Sequence, residues 1–450
     1  MLVTTTEQEP GPGAAGEVEA GPTKQFFVSM ITRDIALQPA IVDLVDNSVD
    51  GARRVRGQER LDGLTVALNF DGTHFRIKDN CGGIPLDTAR LYAFKFGRPD
   101  GAPGVDHSVG QFGIGMKRAL FKLGTAFSVD STAAESYFSL RVNVLDWQRD
   151  NENWNFPLAA ANEAVQDEAA IGTTLVVDVL HPEVAEDLSL DTFTTSLVAD
   201  LRAKHRLSLD RGLTITVNGA PVEPWPVTLL VGPQLSPGRR TKTYAAGWPA
   251  PVITQIVVGV ADSAPAEAGW YVFCNNRLVV GPDQTNLTGW GEGRGRTIPR
   301  FHTQFARFRG YVFFDSDRAA LLPMTTTKVG VDTTSAVWRS TRPQMIQMAR
   351  PVIDFLNAID WENPQTLDDD TGQIESALTS STLEQVDILP TTDADFLAPK
   401  RGAITPPPAT SSIQYRRLVS DIDQAKELLG VSTNTEVGNL TFEYFLDAEG

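Results

Sequence analysis

Residues 39–52 read PAIVDLVDNSVDGA, and their polar and apolar positions are sorted as a helix requires. Asp43, Asn47 and Asp50 stand four and three residues apart, so in a helix their side chains share one face. Ile41, Leu44, Val45 and Val49 cover the rest. Pro39 suits a first turn, where its missing N–H has no partner to lose, and the pattern predicts a helix from about Pro39 to Arg56. An amide set between carboxylates suits Mg²⁺, which takes oxygen ligands and keeps waters beside substrate phosphates. A solvated helix face is the plainer alternative.

Two further segments carry chemistry. RIKDNCGGIP (76–85) sets Asp79 at a strand end, followed by Gly82 and Gly83. A carboxylate there can accept a hydrogen bond from an exocyclic amine, and glycines let a flat ring approach the backbone. An ordinary Asp-Asn turn is the competing reading. VGQFGIGMKRALFKLG (109–124) has Gly110, Gly113 and Gly115 opening a helix, with Lys117 in its first turns. N–H groups exposed at a helix start make an anion site. No GxxxxGK[ST] is present, and no strand leads into a GxGxxG, so neither a P-loop nor a dinucleotide fold is indicated.

In this order the pieces resemble the GHKL superfamily, which includes DNA gyrase B, MutL, the ninety-kilodalton heat-shock chaperones, histidine kinases and the microrchidia (MORC) ATPases. The helix resembles the family's E-x-x-x-N-x-x-D-A, and the resemblance makes Asn47 the Mg²⁺ ligand, with Asp50 closing the motif. KDNCGGI resembles D-x-G-x-G, so that Asp79 would read the adenine amino group and Gly83 would match the second glycine. GQFGIGMK, with Gly110, Gly113, Ile114, Gly115, Met116 and Lys117, resembles the phosphate-binding lid. Gly172-Thr173 resembles a later Gly-Thr motif whose threonine supports the adenine contact.

Farther on, GWYVFCNNRLVV (269–280) and ALLPMTTTKVGVD (320–332) resemble the transducer domain of the MORC branch. There a lysine after a Thr-rich turn reaches the γ-phosphate, a role the resemblance gives to Lys328. It covers roughly residues 25–350. Two departures stand out: Asp43 occupies the place of the glutamate that activates water, one methylene shorter, and Cys81 replaces the first glycine of the second motif. The first bears on rate, because a base must lie within about 2.6–3.2 Å of the proton it takes. The second is tolerable only where φ is negative.

The expected fold is α/β (α+β), a Bergerat-fold α/β sandwich followed by a transducer-like α+β domain and a small C-terminal helical or disordered region. Strand candidates at 64–70 and 74–80 flank Asp71-Gly72, a hairpin signal. The boundaries read as a flexible tail to residue 23, an ATP-binding domain over 24–185, a transducer-like domain over 186–360, an acidic Pro/Thr-rich linker over 361–412 and a helical module over 413–450. With 42% hydrophobic and 21% charged residues the composition is that of a globular protein, and no apolar run approaches a membrane span. No membrane partner and a cytoplasmic location are expected. Cys81 and Cys274, the only cysteines, read as reduced thiols.

A formal charge of −17 argues against nonspecific nucleic-acid binding by the whole surface. Local patches remain at Arg53, Arg54 and Arg56, at Arg239, Arg240 and Lys242, and at Arg294, Arg296 and Arg300. The functional expectation is a Mg²⁺·ATP-binding switch or dimerising clamp, MORC-like on DNA and in prokaryotic anti-phage defence, with DNA or another defence-system protein as its partner. A slow ATPase using Asp43 and an ATP-dependent homodimer complete it. The alternative is a chaperone-like or scaffolding protein with little turnover.

Overall fold

The computed structural model describes residues 21–57, 60–97, 114–150, 152–164, 166–291, 298–362, 373–399, 413–414 and 416–449. The first helices are α1 (Lys24–Arg33) and α2 (Leu37–Arg56). Strands β1 (Thr65–Phe70) and β2 (Phe75–Asp79) follow, then α3 (Gly115–Leu123), β3 (Gly124–Ala133), β4 (Ser136–Asn143), β5 (Leu158–Asn162) and β6 (Gly172–Leu180). Next come α4 (Asp191–Lys204), α5 (Arg206–Asp210), β7 (Thr214–Val217) and β8 (Ala220–Pro221). These strands form one sheet in the order β5-β4-β3-β6-β2-β1-β7-β8.

Alternation explains the strands. Val66, Leu68, Phe70, Phe75 and Ile77 are buried, while Thr65, Asn69, Arg76 and Lys78 are exposed, the signature of a sheet with one covered face. Ile41 and Val45 of α2 and Leu120 and Phe121 of α3 share the core with those strands. This is the expected α/β sandwich. The β1–β2 hairpin closes differently from a two-residue Asp-Gly turn: Phe70 pairs with Phe75, and the Asp71 side chain accepts from the amides of Thr73 at 2.7 Å and His74 at 3.1 Å. A four-residue loop held by an Asp side chain does the work assigned to the dipeptide.

The second sheet is built after a short strand, β9 (Thr228–Val231). It contains β10 (Gly238–Tyr244), β11 (Val252–Val260), β12 (Gly269–Cys274), β13 (Arg277–Asp283) and β14 (Phe308–Asp315), ordered β10-β11-β14-β12-β13. Helix α6 (Ala336–Glu362) covers one face, where Trp338, Met345 and Val352 meet Trp270, Val272 and Phe314. On the other face Tyr271, Phe273 and Tyr311 pack with Leu207, Leu229 and Val386. Every residue of β12 is buried, because both faces are covered. β9 pairs with β15 (Thr382–Gln385).

The domain boundary expected near residue 185 is not where the first sheet ends. β7 pairs in parallel with β1, so residues 214–221 complete that sheet. Both sheets lie in one compact unit reaching residue 400, and a second unit starts at 401. That second unit holds α7 (Val419–Leu429) and α8 (Asn434–Glu449). Gly430, at φ 70°, ends α7. A reciprocal cap opens α8: the Thr433 amide donates to Glu436 at 2.9 Å and the Glu436 amide to the Thr433 hydroxyl at 3.2 Å. Among the described residues no helix is long and apolar enough to cross a membrane.

Candidate functional site

Helix α2 is the spine of the site. From Ala40 to Arg53 every residue is buried except Asn47, which is exposed. A helix buried all round normally carries apolar residues, yet this one buries Asp43, Asp46, Asp50 and Arg53. Such charges persist inside only when partnered, and elements after residue 117 supply the partners. Arg118 of α3 donates to Asp43 Oδ2 at 2.7 Å, and Lys328 Nζ lies 3.1 Å from Asp43 Oδ1. Lys328 also donates to Asp46 Oδ2 at 2.7 Å. Asp46 Oδ1 meets the guanidinium of Arg277, the first residue of β13, with His205 Nε2 3.6 Å away.

The electrostatics follow from this packing. Burial opposes the charge of Asp46, but Arg277 and Lys328 outweigh it and hold the carboxyl below its usual range. Burial likewise opposes the charge of Lys328, while Asp46 and Asp43 raise its pKa. Burial pushes His205 down to about 4, so it is neutral near pH 7. Three cations, Arg118, Arg277 and Lys328, therefore contact two carboxylates. Lys328 reaches the helix from a strained turn, for its φ of 57° is left-handed and such strain concentrates at functional positions. Its amide donates to the Thr325 carbonyl at 2.9 Å, and Gly330 donates to Val279 of β13 at 3.0 Å.

One turn along α2, Ser48 donates to Asp79 Oδ2 at 2.6 Å. Asp79 Oδ1 accepts from the amides of Cys81 at 2.9 Å and Thr173 at 3.2 Å. Burial raises the Asp79 pKa despite these bonds. The Thr173 hydroxyl lies 3.0 Å from Ser131 Oγ. Gly83 has φ 65°, and a Cβ there would collide with the Thr132 carbonyl. Gly172 has φ 148°, and a Cβ would strike the Asp79 carbonyl. Cys81 is not among the residues with positive φ, which is why that glycine is dispensable. Gly51, where the family motif has alanine, admits the same loop: a Cβ would stand 2.6 Å from the Cys81 carbonyl oxygen.

At the start of α3, Ile114, Gly115 and Met116 are half-buried, and a Cβ on Gly115 would lie 3.5 Å from Asp43 Oδ2. Gly110 and Gly113 lie outside the described residues. Lys117 turns to the other side of α3, donating to the Ala93 carbonyl at 2.7 Å with Phe96 5.7 Å away. Burial lowers its pKa to about 7. The structure thus gathers Asp43, Asn47, Asp50, Asp79, Gly83, Gly115, Thr173 and Lys328 around α2 and β2, and directs Lys117 elsewhere.

Sequence reasoning did not single out Ser48, Asp46, Arg118, His205 or Arg277. The basic runs proved partly internal. Arg53 is buried and donates to the Asn275 carbonyl at 2.5 Å, and Arg239 is buried and donates to the Val386 carbonyl at 2.9 Å. Arg294 and Arg296 lie outside the described residues.

Residues 35–173 match the family of histidine kinase-, DNA gyrase B- and HSP90-like ATPases. The match takes in α2, the Asp79 loop, the start of α3 and Thr173, and it supports the GHKL superfamily and ATP binding for this segment. No curated protein matches the chain.

Proposed function

We propose that the chain is a nucleotide-controlled switch, in which Mg²⁺·ATP binds along α2 and its terminal phosphate rearranges the ion cluster joining α2 to the second sheet. The observation that carries this reading is the reach of Lys328 from the 324–331 turn to Asp43 and Asp46. Asp79, backed by Ser48 and the Thr173 amide, offers an acceptor for the adenine amino group. Asn47, the exposed amide on an otherwise buried stretch, would hold Mg²⁺, which when bound neutralises phosphate charge. The start of α3 presents amides to the phosphates. With three cations on two carboxylates the cluster keeps one positive charge, and burying an unbalanced charge costs several kcal/mol. An incoming phosphate relieves that imbalance.

Hydrolysis is slow in this reading, because Asp43 replaces the longer glutamate and both its oxygens are engaged by cations. The homodimeric clamp, the DNA partner and the anti-phage role rest on the resemblance to the MORC branch alone.

Calorimetric titration with ATP and Mg²⁺, followed with phosphate release, tests the site. Wild type is expected to bind ATP and release phosphate slowly. Asn47→Ala and Asp79→Asn should each weaken binding about tenfold or more, the loss of one strong polar contact. Equal affinity in all three proteins, or no binding by wild type, would remove the proposed site.

A further inference from the structure

The family motifs do not use Arg118, yet it is the cation closest to Asp43. It is the fourth residue of α3, and its amide donates to the Ile114 carbonyl at 2.9 Å, so the first turn of that helix fixes its base. Its side chain is 15% exposed and Asp43 only 4%. One nitrogen bonds Asp43, while Nε, also buried, finds no hydrogen-bond partner among the described residues. A guanidinium has five N–H donors in a plane, and this one uses part of that capacity.

Lys117 and Arg118 are adjacent candidates for contacting a phosphate, and their surroundings decide between them. Lys117 is committed to the Ala93 carbonyl on the far side of α3, where burial disfavours its charge. Arg118 carries a planar guanidinium and stands beside the Asp43 carboxylate, next to Gly115. A planar guanidinium binds phosphate oxygens in pairs, as it does a carboxylate.

Resting on the ATP-site reading above, we propose that Arg118 recognises the terminal phosphate of ATP and that Asp43 is its resting partner, so triphosphate binding exchanges one anion for the other. The exchange makes the Asp43 carboxylate available only when substrate is present. Both its oxygens are otherwise occupied, by Arg118 and by Lys328, and an occupied carboxylate is a poor proton acceptor. Once Arg118 and Lys328 move to phosphate, a water oxygen can bond to the terminal phosphorus as its bond to the ADP oxygen breaks. The bonding pair leaves with ADP, and the water proton passes to Asp43. The arrangement ties turnover to triphosphate occupancy and lets ADP bind without disturbing the pair.

The test compares a nonhydrolysable ATP analogue with ADP, each with Mg²⁺, by calorimetry on the full chain. Arg118→Ala should lose about tenfold or more of the preference for triphosphate, the value of one charge-assisted contact, with ADP affinity held within about twofold. Arg118→Lys should recover part of it. Asp43→Asn should tighten analogue binding, because Arg118 is released from its resting partner. That gain should vanish when Arg118→Ala is added, an outcome a merely structural pair would not give. If wild type binds both nucleotides and Arg118→Ala leaves their ratio unchanged, or if Asp43→Asn tightens binding equally with and without Arg118, the assignment is wrong. If wild type binds neither, the ATP-site reading itself fails.

Discussion

Gly172 sits where a side chain cannot. Its φ of 148° and the Asp79 carbonyl against its Cα make Gly172→Ala strained and clashing, and we expect a loss of about 3 kcal/mol in stability by urea unfolding. An Ala variant as stable as wild type would mean the Gly-Thr segment does not hold Asp79 as described. Asp79 and the glycines after it were legible because a carboxylate followed by Gly82 and Gly83 is a pattern within one short segment. Gly172-Thr173, whose threonine lies 94 residues from Asp79 in sequence, was legible only through the family resemblance. Lys328 was legible only through its Thr-rich turn and a family resemblance. Arg118 looked like the companion of Lys117, and nothing in MKRALF says that one cation faces Ala93 and the other Asp43. Asp46 and Lys328 are 282 residues apart, and that proximity exists only after folding.

At the scale of elements, α2 is held from two sides. The first sheet shares its apolar core, and its ionic contacts come from Arg277 of the β12–β13 hairpin, Lys328 of the 324–331 turn and Arg118 of α3. The hairpin turns at Asn275 and Asn276, both with positive φ, the conformation a two-residue turn needs. Asn275 is locked there, donating to the Ser316 carbonyl at 3.0 Å and accepting from the Ser316 amide at 3.0 Å. Its carbonyl receives Arg53, and the next strand begins with Arg277 on Asp46. Arg277 is 3% exposed and Asp46 1%, so Arg277→Met leaves a buried carboxylate with one fewer cation. We expect a loss of about 3 kcal/mol, part of it recovered by adding Asp46→Asn. Equal additive losses would show the pair to be uncoupled. The hairpin could be read as strand, turn and strand from GWYVFCNNRLVV. Its docking on α2 could not, because Asn-Asn-Arg is ordinary turn chemistry until another element meets it.

For the whole molecule, the same cluster sets an acid limit. His205 titrates at about 4 folded, against 6.5 ordinarily, so between those values the unfolded chain holds a proton that the folded one lacks. Stability should fall as pH drops from about 6.5 to about 4, by up to about 3 kcal/mol from this group. Asp46, held below its usual range, acts in the same direction at lower pH. His205→Gln should flatten the upper part of the profile in denaturant titrations across that range; an unchanged slope would assign the acid sensitivity elsewhere. The two sheets were readable as separate patterns, but the parallel β1–β7 pairing that completes the first and the ion cluster that joins α2 to the second were not, since both bring together distant stretches. The central claim is that triphosphate at α2 controls the turn carrying Lys328. Amide hydrogen exchange over residues 324–331, with Mg²⁺ and a nonhydrolysable ATP analogue, tests it most directly. The account predicts a change in protection of that turn with the analogue, little with ADP and none in Asn47→Ala; unchanged exchange in a wild-type protein demonstrably saturated with analogue would contradict it.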